Sequence, residues 1–203
     1  MSVHFYEPKK GHGLPHDPMN AIVGPRVIGW IGTRSQQGVL NLAPYSFFNL
    51  FNYRPPILGF SSIGYKDSVR NAIETGEFSW NLATQTLATA MNQSSTTQSV
   101  DEFEFAGLTP APSKLIQAPR VAETPVSFEC KVTQHLQLED QSGTEIPTWF
   151  VFGEVVAVYI DHSCLDNGIY QTSRAQPILR AGGPGGYFSI HPEHAFEMRR
   201  PQD

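Results

Sequence analysis

The sequence predicts an all-β fold, an antiparallel barrel closed on itself and covered by a few helices. Three observations predict it. Glycine and proline number 17 and 16 among 203 residues, a turn density that suits many short strands. Apolar runs of strand length recur between the turns, and the two longest face each other across Gln141-Ser142-Gly143. Strands and short helices interleave, but the long alternation of a doubly wound parallel sheet is missing.

Taken in order, Met1 to Asn20 carries Pro8, Gly11, Gly13, Pro15 and Pro18 and reads as an irregular arm. Val27, Ile28, Trp30 and Ile31 make a strand, Gly32 to Gly38 a turn-prone segment, and Val39-Leu40 the return of a hairpin. Ser46 to Tyr53 is dense in aromatics, Pro55 and Pro56 interrupt it, and Ile57 to Ser61 is another short strand. Lys66 to Gly76 reads as a helix. Asp67 or Ser68 can cap it, Val69, Ala72 and Ile73 share one face, and Gly76 can end it in a left-handed conformation.

Glu77 to Leu82 follows as a strand. Thr86 to Gln93 is a second helix with Leu87, Ala90 and Met91 inward. Gln98 to Pro125 is irregular, with a short helical or extended piece at Lys114 to Ala118. Val126 to Leu138 and Ile146 to Ile160 are the clearest strands, and Val155 to Val158 has the continuous apolar character of a strand buried on both faces. The Gly-rich tail from Gly182 reads as a loop. This divides the chain into an arm (1–20), one barrel domain (21–190) and a C-terminal tail (191–203).

Composition excludes several function classes. Apolar residues are 40% and charged residues 16%, which describes a globular chain. The formal net charge of −5 removes a bulk electrostatic case for nucleic acid or an anionic membrane. No apolar run approaches a membrane span, and no apolar leader opens the sequence, so the cytoplasm is the expected location. Cys130 and Cys164 form no CxxC pair and are expected as free thiols. His12 and His16, or His191 and His194, lack a third well-spaced ligand on a regular element, so no metal site is expected. Asp101, Glu102 and Glu104 alternate with Phe103 and Phe105 and read as a solvated acidic edge.

Two segments can carry chemistry. Asn41-Leu42-Ala43-Pro44-Tyr45-Ser46-Phe47 combines a proline that interrupts ladder pairing, a small residue that permits close approach, an amide, a hydroxyl and flat walls. Those are the requirements of a planar ring with polar edges. By itself it also fits a proline-bent strand with an aromatic core. Ser61-Ser62, followed by Lys66 and Ser68 at a helix start, offers hydroxyls, a cation and unpaired N–H groups, which suit a phosphate. Asp67 opposes that reading, and a plain capped helix accounts for the same residues.

The stretches PRVIGWIGT, NLAPYSFFN, PPILGFSS, KDSVRNAIETGEF and SFECKV, in that order, resemble the flavin reductase-like, FMN-binding split-barrel family from about Val23 to Tyr187. The resemblance implies a six-stranded Greek-key split barrel, a homodimer and one FMN per subunit. Carried over by position, Asn41, Leu42, Ala43, Pro44, Tyr45, Ser46 and Phe47 line the flavin ring and ribityl chain, largely through backbone groups. Ser61, Ser62, Lys66 and Ser68 hold the phosphate, with Asn71 beside them. Thr33 supplies a hydroxyl near the flavin, and Arg180 and Tyr187 border the substrate side. A loop anchored by a buried Tyr187 and a surface Arg180 fits the last two equally.

The implied activity is an FMN-dependent oxidoreductase that takes hydride from NAD(P)H and passes electrons to flavin, oxygen or a partner. It requires no catalytic side chain. The absence of a GxGxxG motif means that NAD(P)H must bind without a Rossmann domain. The alternative is a non-catalytic FMN-binding electron carrier.

Overall fold

Seven strands hydrogen-bond into one antiparallel sheet: β1 (Gly29–Arg34), β2 (Leu40–Tyr45), β3 (Phe48–Tyr53), β4 (Pro56–Ile63), β5 (Glu77–Asn81), β6 (Val126–Glu139) and β7 (Glu145–Ile160). Their spatial order is β2-β1-β5-β6-β7-β4-β3. The computed structural model describes residues 2–201; Met1 of the arm and Gln202 and Asp203 of the tail lie outside the described residues. Seven strands stand where the resemblance implies six, because the run from Leu40 to Tyr53 breaks at Ser46-Phe47 and supplies both sheet edges.

That break is what closes the barrel. β2 and β3 are successive in the chain yet occupy opposite edges, so only a rolled sheet can join them through two residues. At the seam the Ser61 N–H donates to the Phe47 carbonyl at 2.8 Å, and the Tyr45 and Phe60 rings pack 5.0 Å apart. β6 and β7 form a hairpin and β5 pairs antiparallel with β6, while β4 lies beside β7 at long sequence separation, which is the Greek-key arrangement.

The long connection carries α1 (Asp67–Thr75), followed later by α2 (Ala88–Gln93) and α3 (Glu102–Phe105). In α1, Val69 and Ala72 are fully buried and Ile73 packs beside them. Gly76 ends the helix at φ +75°, donating to Ala72 O. The N-cap is Lys66, and no side chain caps it. Asp67 pairs with Arg70 instead, and the Ser68 hydroxyl accepts from Asn41. The expectation that Asp67 or Ser68 caps the helix is therefore corrected.

Burial alternates along β1 into two cores. Ile31 faces the barrel interior with Phe60, Phe78 and Val151, while Trp30 faces a second core with Leu42, Met91 and Phe103 under α2 and α3. Close packing forbids a side chain at Gly153, where a Cβ would lie 2.5 Å from the Phe78 ring. The Val155–Val158 run departs from its reading. Its register shifts between Val155 and Ala157, and Val158 is exposed, so this strand is not buried on both faces. The tail also departs from a loop: Tyr187–Ser189 pairs with Ile178–Arg180, which pairs in turn with Arg26–Val27.

No helix or strand forms at Lys114 to Ala118. Side chains of β5 and β6 hold that segment. Glu77 Oε1 accepts the N–H groups of Gln117 and Ala118, and Asn81 Oδ1 accepts that of Val121 at 2.8 Å. Glu129, fully buried, accepts the Lys114 and Leu115 N–H groups at 2.7 and 2.6 Å and the Tyr159 hydroxyl. Burial alone pushes the Glu129 carboxyl up. The hydroxyl, the two N–H groups and the nearby Arg120 charge outweigh it and hold the carboxyl below its usual range.

A carboxylate so held stabilises the fold above the pKa of the unfolded chain, about 4.3, and that stability is lost as pH falls through the lower folded value. Glu129→Ala is expected to cost about 3 kcal/mol in urea titrations at neutral pH. The gap from wild type should narrow in acid; a gap that is constant with pH would refute the ionised state.

Candidate functional site

The Asn41 amide joins three elements. Its Nδ2 donates to Thr33 Oγ1 on β1 at 3.1 Å and to Ser68 Oγ in the first turn of α1 at 2.8 Å. Asn71, one turn further, donates to the same Thr33 hydroxyl at 3.2 Å. All four residues are buried, and Asn71 Oδ1 has no partner among the described residues. The network fixes the start of α1 against the edge strand β2.

Between these elements lies a cleft of about 320 Å³. Ala43, Pro44 and Tyr45 form one wall, Lys66, Asp67 and Ser68 line the helix start, and Ser94 to Gln98 with Glu102 form the opposite side. It thus joins the two chemistry-bearing segments of the sequence. At Pro44 the strand edge has no N–H to offer. Among the opposing hydroxyls, that of Ser94 is engaged, accepting from Trp30 Nε1 at 2.9 Å and donating to Met91 O.

The charge pattern is mixed. Lys66 is an exposed cation at the rim. Asp67 bonds to Arg70 at 2.5 Å, so its charge is largely met. Glu102 is buried, and its Oε2 accepts the Leu42 N–H at 3.2 Å. Burial pushes the Glu102 carboxyl up; its own N–H and that of Leu42 offset part of this, and the Asp67 and Asp101 charges add to it. Burial likewise pushes the Tyr45 phenol up, the neighbouring Ser68 and Ser62 hydroxyls offsetting part of it.

The remaining sequence candidates sit elsewhere. Leu42 points away from Asn41 into the second core, as strand alternation requires, so its side chain lines nothing in the cleft. Thr33 and Asn71 form a buried layer behind Asn41. Ser61 and Ser62 belong to the barrel seam: the Ser61 N–H bonds to Phe47, and the Ser62 hydroxyl donates to Gly64 O at 3.0 Å. The Phe47 ring is half exposed beneath the Arg26 guanidinium, outside the cleft.

Ser46, Arg180 and Tyr187 line a neighbouring cavity of about 200 Å³ that shares Pro44 and Ser95 with the cleft. Arg180 donates to the carbonyls of Gly182, Gly183 and Gly186 and lies over the Tyr187 ring. It therefore folds the glycine loop.

Sequence reasoning missed Ser95, Thr96, Thr97 and Glu102. The unbroken polar run after Gln93 was a signal for the first three. For Glu102 the signal was Asp101, whose side chain accepts from the Phe103 and Glu104 N–H groups and so starts α3, turning Glu102 inward. The acidic-edge reading is corrected for this residue. Among the described residues, no three His, Cys, Asp or Glu side chains converge as metal ligands, and no helix is long and apolar enough to cross a membrane. Cys130 and Cys164 are both buried and unpaired, and burial pushes the Cys130 thiol far up.

A family model, the flavin reductase like domain, matches residues 24–179. Among solved structures, the chain is similar to nitrilotriacetate monooxygenase component B from Bacillus cereus, at 26% identity and TM-score 0.85, covering 98% of this chain and 100% of that one. It is also similar to a Pseudomonas fluorescens 2-nitrobenzoate 2-nitroreductase, at 29% identity and TM-score 0.78, covering 90% and 88%. A Shewanella frigidimarina protein with a split barrel domain aligns at 26% identity and TM-score 0.77, covering 91% and 90%.

Asn41 and Lys66 are expected to separate architecture from ligand contact. Asn41→Ala removes two buried hydrogen bonds and should lower unfolding free energy by about 2 kcal/mol. Lys66→Ala, at an exposed position, should change it by less than about 0.5 kcal/mol. Equal losses in denaturant titrations would contradict the assignment.

Proposed function

The chain belongs to the flavin reductase like domain family, and from that premise we propose that it is an FMN-dependent oxidoreductase that draws electrons from NAD(P)H. One observation carries the proposal: a single cleft joins the wall at Ala43, Pro44 and Tyr45 to the helix start at Lys66 and Ser68. A planar ring and an anionic tail need two such different surfaces within one molecule's reach. The donor set fits FMN. The Lys66 ammonium and the first N–H groups of α1 suit its phosphate, helped by the Ser95, Thr96 and Thr97 hydroxyls. The chemistry FMN supplies when bound is reversible electron transfer between NAD(P)H and an acceptor.

The chain's own residues bind and orient. Asn41 holds the helix start in place through Thr33 and Ser68, so the phosphate donors are arranged before the ligand arrives. Tyr45, packed on Phe60, gives a rigid flat surface. No side chain is assigned as acid or base. The Bacillus cereus neighbour is by name one component of a monooxygenase, and a partner protein is one of the proposed electron acceptors.

The reading includes a homodimer in the cytoplasm. Edge strand β3 supports the dimer, since it leaves Leu50, Phe51 and Tyr53 exposed on a strand with an open side.

Purified protein is expected to retain or take up FMN and to bleach anaerobically with NADH or NADPH. A bound flavin that neither donor bleaches would leave an electron carrier in place of a reductase. Lys66→Ala should weaken FMN binding about tenfold and leave riboflavin binding unchanged. Light scattering should give the mass of two chains; a single-chain mass would remove the dimer.

A further inference from the structure

We infer that Glu102 couples binding of a phosphate-bearing flavin to proton uptake, its carboxyl taking up a proton as the phosphate enters the cleft. The inference rests on the FMN reading above. A phosphate brings close to two negative charges into a space that two carboxylates already line. From α1, Lys66 and Asp67 face that space, and Arg70 answers Asp67. From its own element, Glu102 has Asp101 beside it. β2 contributes the Leu42 N–H and the Tyr45 phenol, which burial keeps neutral, and Ser94 to Gln98 contribute no titratable group.

Among the described residues no ion pair includes Glu102. It is therefore the carboxylate in the cleft without a cationic partner, its charge met only by backbone N–H groups. Burial already opposes that charge, so it is also the one most readily neutralised. Protonation costs little structurally, because a neutral carboxyl still has an oxygen to accept the Leu42 N–H.

The sign follows from linkage. An anion bound nearby favours the protonated carboxyl, so binding and proton uptake assist each other. Affinity is full below the pKa of the flavin-free site and falls as pH rises through it. It levels off above the pKa of the occupied site, and each unit between the two pKa values is worth tenfold in Kd. The phosphate's own second ionisation, near about pH 6, runs the opposite way, since it makes a better ligand as pH rises.

Flavin-free protein titrated with FMN and with riboflavin between about pH 5.5 and about 8.5, across that ionisation, tests the coupling. FMN affinity is expected to fall by about tenfold across the upper part of the range, while riboflavin affinity stays level. Glu102→Gln, checked for a cooperative melt, should keep the tight FMN binding of low pH at high pH. Wild-type FMN affinity that rises or stays level throughout overturns the inference, as does a fall retained in the glutamine variant. If that variant does not fold, the sign of the wild-type slope, with riboflavin as control, decides. Failure to bind FMN at any pH would sink the cofactor reading itself.

Discussion

The Asn41 amide is the constraint on which the cleft depends. A barrel edge and a helix start have no reason to meet at a fixed distance unless something buried requires it. Here one side chain supplies both donors, to Thr33 and to Ser68, in a place where an unmet polar group costs far more than a surface one. Asn71 repeats the tie one helical turn later. The same residues that look like ligand contacts in the sequence thus act mostly on each other. Besides lining the cleft, Asn41 and Ser68 hold Lys66 and the edge at Ala43 and Pro44 in one arrangement.

The cleft proposed to hold a phosphate is not strongly basic. Lys66 is exposed and therefore weak as a point charge, and Asp67 and Glu102 stand nearby. What favours a phosphate is the sum of a helix N-terminus, a loop of hydroxyls and one ammonium, with Asp67 turned to Arg70. Such a site discriminates by geometry more than by field. It suits an acidic protein, whose overall charge gives an anion no long-range attraction.

The fold was legible wherever local periodicity decides it. α1 with its Gly76 cap, the β6–β7 hairpin and the strand at β5 follow from spacing and turn residues alone. The failures have one physical origin, which is that tertiary contacts override local signals. Glu102 reads as solvated because its neighbours are acidic, but Asp101 starts a helix that turns it inward. Lys114 to Ala118 has no periodicity because Glu77 and Glu129, distant in sequence, satisfy its backbone. At the site, the segment from Asn41 to Phe47 is expected to act largely through its backbone, and strand alternation decides where its side chains go. It sends Leu42 into the second core while its neighbours Asn41 and Ala43 line the cleft. Ser61 and Ser62 stand at the barrel seam, where the Ser61 N–H donates to Phe47 O and the Ser62 hydroxyl to Gly64 O.

Two arginines sharpen the same lesson. Arg180 is expected from the resemblance on the substrate side, and Arg26 lies over the Phe47 ring. Arg26 donates to the carbonyls of Asn20, Val23 and Ser46, and Arg180 to those of three glycine-loop residues. Both guanidiniums are thus occupied by backbone oxygens in segments where regular pairing gives out. A molecule entering the smaller cavity meets Ser46, Asn92, the Tyr187 ring and Arg180, whose guanidinium is already bonded to glycine-loop carbonyls. Because Pro44 and Ser95 border both spaces, a flat ring on that side can approach the wall that Ala43, Pro44 and Tyr45 present on the other. The arginines therefore act on the site by shaping it: with the glycine loop tied down, the second cavity keeps its wall and the two spaces stay joined.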